Sequence, residues 1–124
     1  MILFSQGCEK NYSHAVYEIE ISECCVYNDS VGNEWDIKYS CYGSTVYNGY
    51  RWKVPIDSTD KIYLDISVIE NDKHPDIGKE SVVIELTDGF ETAATITVLE
   101  GNGRYKDNKA TWKIAFAIKL VDRL

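Results

Sequence analysis

Three carboxylates fall within the seven residues Glu70-Asn71-Asp72-Lys73-His74-Pro75-Asp76, and two more bound the stretch Asp29-Ser30-Val31-Gly32-Asn33-Glu34. Carboxylate oxygens gathered on loops are what a hard cation such as Ca²⁺ requires, and a bound cation relieves the repulsion among clustered acids. Glu70 and Asp72 are spaced by two at the end of an apolar run, so in extended chain both side chains turn the same way. Asp76 can swing back toward them across a short loop. Asp29, Glu34, Glu70, Asp72 and Asp76 are therefore the candidate metal ligands. An acid-rich turn that merely faces water has the same composition. Asp76 before Ile77-Gly78 also suits a turn in which its side chain bonds nearby amides.

Other reactive side chains are sparse. The four cysteines, Cys8, Cys24, Cys25 and Cys41, include no CxxC pair, so zinc is not indicated. Cys24 and Cys25 are adjacent and in a strand point to opposite faces, so they do not pair with each other; reduced thiols are the expected state, and a bridge with Cys8 as one half is the alternative. His14 and His74 accompany no nucleophile signature such as GxSxG, and the chain is expected to be non-catalytic. Trp35, Trp52 and Trp112 fall in apolar phases and read as core. Tyr42, Tyr47 and Tyr50 surround Asn48-Gly49, either as an aromatic contact surface for a protein or a sugar ring or as partners packed across a hairpin.

Charge narrows the choice of partner. Thirteen basic residues stand against twenty acidic ones, for a net charge of −7. Such a surface repels phosphate backbones and anionic lipid, which argues against nucleic acid and against membrane binding by charge alone. A cation remains compatible. Hydrophobic residues make up 44% of the chain, enough for a core. No apolar run approaches the roughly 20 residues of a membrane-spanning helix. The opening Met1-Ile2-Leu3-Phe4 is short and lacks the basic flank of a signal peptide, and the compartment is left open.

The elements that must position these acids repeat with period two. Trp112, Ile114, Phe116, Ile118 and Leu120 alternate with polar or small residues, as do Ile62, Leu64, Ile66 and Val68. The same pattern runs through Tyr17 to Ile21, Trp35 to Cys41, Trp52 to Ile56, Val82 to Leu86 and Ala94 to Val98. Asn48-Gly49, Thr87-Asp88-Gly89 and Gly101-Asn102-Gly103 are turn signals, the first that of a type I′ hairpin. Seven to eight short strands at this spacing predict an all-β antiparallel sandwich. Residues 1–12 lack a pattern and read as a loose N-terminal tail; residues 13–124 read as a single domain.

Within this pattern the run Ile66 to Asp72, a short loop, then Asp76-Ile77-Gly78 and an apolar strand to Leu86 resembles the third binding loop of C2 domains. Asp29 to Glu34, followed by an apolar strand, is similar to the first C2 loop. The resemblance implies an eight-stranded antiparallel sandwich whose loops one and three lie at the same end and bind Ca²⁺ and phospholipid in many members. Glu70 stands where that family usually has Asp. The loop to Asp76 is short, and Trp35 occupies the position of a second acid. These departures imply weak Ca²⁺ binding. The expected function is thus a non-catalytic C2-like module that reaches a protein partner, or a membrane surface through Ca²⁺. The alternatives are a secreted or surface carbohydrate- or protein-binding sandwich and a structural subunit of a larger assembly.

Overall fold

The computed structural model describes residues 11–58 and 60–124. Most of the expected tail, with Cys8, lies outside the described residues. Eight strands follow in order: β1 (His14–Asn28), β2 (Trp35–Cys41), β3 (Ser44–Val46), β4 (Arg51–Pro55), β5 (Lys61–Glu70), β6 (Asp76–Glu85), β7 (Glu91–Leu99) and β8 (Lys109–Arg123). They form two antiparallel four-stranded sheets, ordered β4-β1-β8-β7 and β3-β2-β5-β6. Among the described residues a single 3-10 turn, Gly103–Tyr105, is the only helical element, and no helix is long and apolar enough to cross a membrane.

The period-two pattern sets which faces meet. Ile62, Leu64, Ile66 and Val68 of β5 are buried, and so are Ile114, Phe116 and Ile118 of β8, all in one cluster with Ile96 and Val98 of β7. Tyr39 stands edge-on to Phe116, 5.9 Å between ring centroids, and joins the two sheets through the middle of the core. Trp35 and Trp112 repeat the arrangement at one end, 5.4 Å apart.

The two flanks of the sandwich differ. β6 and β7 close one flank so tightly that a Cβ on Gly78 would lie 2.5 Å from the Thr97 carbonyl oxygen, and a side chain there would separate the sheets. On the other flank, β4 pairs with β1 only from His14 to Glu18, and β3 pairs with β2 only from Tyr39 to Cys41. The later part of β1 and the first part of β2 are left as edges.

The hairpin expected at Asn48-Gly49 is displaced. Cys41 pairs with Ser44, and the two residues between them, Tyr42 (φ 49°) and Gly43 (φ 83°), both have positive φ, which is the type I′ signature. At Asn48-Gly49 only Gly49 has positive φ. There the Tyr50 N–H donates to the Tyr47 carbonyl at 2.9 Å, as in a type II turn. That turn carries the chain from one sheet to the other, since β3 and β4 belong to different sheets.

Candidate functional site

Strand ends build the acidic site. Glu70 is the last residue of β5 and Asp76 the first of β6, and the two are paired across the ladder. Both continue the inward phase of their strands, so their carboxylates enter the end of the core: Glu70 is 1% exposed and Asp76 7%. Asp72 sits in the intervening turn, where its Oδ1 accepts the His74 N–H at 2.8 Å. One carboxylate oxygen from each of Glu70, Asp72 and Asp76 can be chosen so that all lie within 4.8 Å of one another. Ligands on opposite sides of a Ca²⁺ ion stand about 4.6–5.2 Å apart, given Ca–O distances of about 2.3–2.6 Å. The three groups thus reach a common point without rearrangement of the strands.

The backbone around these carboxylates supplies few donors. Glu70 Oε2 accepts the Glu34 N–H at 3.4 Å, and Asp76 Oδ1 accepts the Gly101 N–H at 3.0 Å. The second oxygens, Glu70 Oε1 and Asp76 Oδ2, are buried without a hydrogen-bond partner. Among the described residues the ion pairs are Lys38–Asp36 and Arg51–Glu18, so no basic side chain neutralises the cluster. Lys73, adjacent in sequence, makes no such pair. Burial first, and then Asp72 beside it, pushes the Glu70 carboxyl up to about 7. Two buried oxygens without donors, aimed among acids without a counter-charge, fit a cation better than a solvated turn.

The loop between β1 and β2 forms the wall. Glu34 O accepts the Asn71 N–H at 2.6 Å, so the loops after β1 and after β5 do share one end. Gly32 (φ 140°) is pressed against the Glu70 carboxylate, and a Cβ there would collide with it. Trp35 Nε1 donates to the Gly32 carbonyl at 3.2 Å, and Asn28 caps the same loop through its bonds to Gly32 O and Val31 N. Asp29 and Glu34, the two candidates from this loop, are both exposed. Neither side chain joins the three-carboxylate group, although the Glu34 charge contributes to raising Glu70.

Glu100 is the acid that sequence reasoning missed. It follows β7, is 8% exposed, and is pushed upward by burial and then by the neighbouring charges of Asp76 and Asp72. Its Oε1 accepts the Asn102 N–H at 3.3 Å. The signal was present: Glu100 takes the next position in the inward phase Ala94, Ile96, Val98.

The other candidates have plainer settings. Cys24 and Cys25 are exposed and Cys41 is buried, all three as free thiols. Tyr47, Tyr50 and Trp52 pack edge-to-face or tilted in a row, with centroids 5.4 and 4.8 Å apart, which uses their rings against one another. Compared with known proteins, the chain matches no family model, no curated protein and no solved structure.

Proposed function

We propose that the chain is a non-catalytic, C2-like binding module whose acidic end holds a hard divalent cation, with Ca²⁺ the best chemical match. The observation that carries this reading is the pair of buried carboxylate oxygens, Glu70 Oε1 and Asp76 Oδ2, that have no donor. Eight antiparallel strands in two sheets, with the β1–β2 and β5–β6 loops at one end, agree with the C2 resemblance. Glu70, Asp72 and Asp76 would hold the ion, and Glu100 would stand behind Asp76. Bound there, the ion replaces the missing counter-charge and ties the two strand ends of the β5–β6 connection together. A partner that contributes further oxygens, a protein carboxylate or a lipid phosphate, would complete its coordination shell.

Calorimetric titration of the metal-free protein with Ca²⁺ tests the reading. One site per chain is expected, with a dissociation constant of about 10⁻⁴–10⁻³ M, since the chain offers few ligands. Mg²⁺, which demands a tighter octahedron, should bind more weakly. No heat of binding at millimolar Ca²⁺ would leave a metal-free interaction module.

A further inference from the structure

We infer that the open flank of the sandwich is a docking groove for an extended, cationic segment of a protein partner, added as a strand along the free edge of β1. The inference does not depend on a cation at the acidic end. The first half of β1 is covered on this side: β4 pairs with it as far as Glu18. Beyond that, the Ile19 N–H donates to Tyr50 O at 3.0 Å and the Ile21 N–H to Asn48 Oδ1 at 2.8 Å. Backbone groups alternate in direction along a strand, so the N–H groups of Glu23 and Cys25 face the same side. Among the described residues no strand lies there to receive them, while β8 occupies the other edge through Asn28.

The unpaired stretch Ser22–Asn28 spans about 23 Å at about 3.3 Å per residue. It is exposed throughout, Val26 to 54% and Tyr27 to 48%. It holds neither Pro nor Lys, and the features that blunt it are the charge of Glu23 and an irregularity between Cys25 and Tyr27, so its regular part is Ser22–Cys25. At its start, Glu23 and the preceding Ile21 line a cleft of about 870 Å³ whose other walls mix apolar Ile37, Tyr39 and Val46 with polar residues of β2 and β3. An edge with free donors and a partly apolar cleft at its start together fit strand addition.

Charge selects the occupant. Glu23 lines the cleft, where its Oε2 accepts the Tyr39 hydroxyl, Asp29 and Glu34 lie on the loop that joins the two free edges, and Asp36 follows on β2. The one cation among them, Lys38, is 3.8 Å from Asp36 and partly neutralised by it. A second copy of this chain, itself carrying −7, would be repelled. A segment that alternates apolar and basic residues would place the former in the cleft and the latter toward the acids.

Fluorescence anisotropy with a labelled decapeptide of alternating Lys and Val provides the test. Saturable binding is expected at low ionic strength, at least tenfold tighter than for the alternating Glu and Val peptide. It should also be at least tenfold tighter than for alternating Lys and Pro, which keeps the charge and cannot complete a ladder. Hydrogen exchange should slow in Ser22–Asn28 on binding, and Glu23→Lys should weaken it at least threefold. Equal affinity for the Lys-Pro or the Glu-Val peptide would overturn the proposal, as would protection that maps elsewhere. A concentration-dependent dimer that protects the same amides would assign the groove to a second copy instead.

Discussion

One end of the sandwich carries two kinds of acid that look alike in sequence and differ in the folded chain. Glu70, Asp76 and Glu100 are 1%, 7% and 8% exposed; Asp29 and Glu34, a few residues away in space along the β1–β2 loop, are exposed. The first set is placed by ladders. Glu70 and Asp76 are a cross-strand pair, and Glu100 O and N are tied to the Asp107 and Asn108 backbone at 2.8 Å each. A carboxylate fixed in the inward phase of a strand cannot turn to water, whereas one on a loop can. Burying acids in this way costs stability unless something neutralises them. The loop acids carry no such cost and contribute mainly to the field around the site.

The largest expected effect comes from loosening the frame that imposes the burial. Phe116→Ala removes the ring that meets Tyr39 at the centre of the core and should cost about 3–5 kcal/mol by chemical denaturation. An unchanged stability would show that the inward register of β8 is wrong. Next in size, Glu70→Gln should stabilise the metal-free protein at about pH 8 by about 1–3 kcal/mol, because a buried charge without a partner is replaced by a neutral donor. The same change at Asp29 or Glu34 gives no such gain.

The pH dependence sharpens the same contrast. The Glu70 carboxyl, raised from 4.5 to about 7, binds its proton more tightly in the folded chain than in the unfolded one. Its contribution is present in full below about pH 4.5 and is lost as pH rises through about 7. Metal-free parent should therefore lose stability over this window relative to Glu70→Gln, as read by melts at several pH values. Parallel curves would remove Glu70 from the account. The smallest effects belong to the loop: Asp29→Asn and Glu34→Gln should each shift stability by no more than about 0.5 kcal/mol.

Much of the frame was legible because alternation is a local signal. The inward set of β5 and β8 follows directly from it, and both ends of β5 agree with the apolar run. The Asn48-Gly49 turn was misread because a two-residue turn signal carries no information on whether the next strand stays in the same sheet. Tyr42-Gly43, which makes the true type I′ hairpin, was obscured by a bulky residue at a positive φ of 49°. The short β3 has only three residues and offers no period to detect. In the acidic site, Glu70, Asp72 and Asp76 are close in sequence and were found by proximity. Glu100 is remote in sequence, and only the phase of β7 points to it. Which acids would be buried depended on strand phase rather than on local acid density.

If the site lies between the strand ends, the buried pair Glu70 and Asp76, with exposed Asp72 between them, answers to a cation, and the loop acids Asp29 and Glu34 do not. Thermal melts with and without Ca²⁺ at about 100 times the dissociation constant test this directly, since binding at that ratio stabilises the fold by about 2.7 kcal/mol. The parent and the Asp29→Asn, Glu34→Gln double variant should both show the full upward shift, and the Glu70→Gln, Asp76→Asn double variant should show none. A shift that survives in the buried-acid variant, or that vanishes with the loop acids alone, would contradict the account.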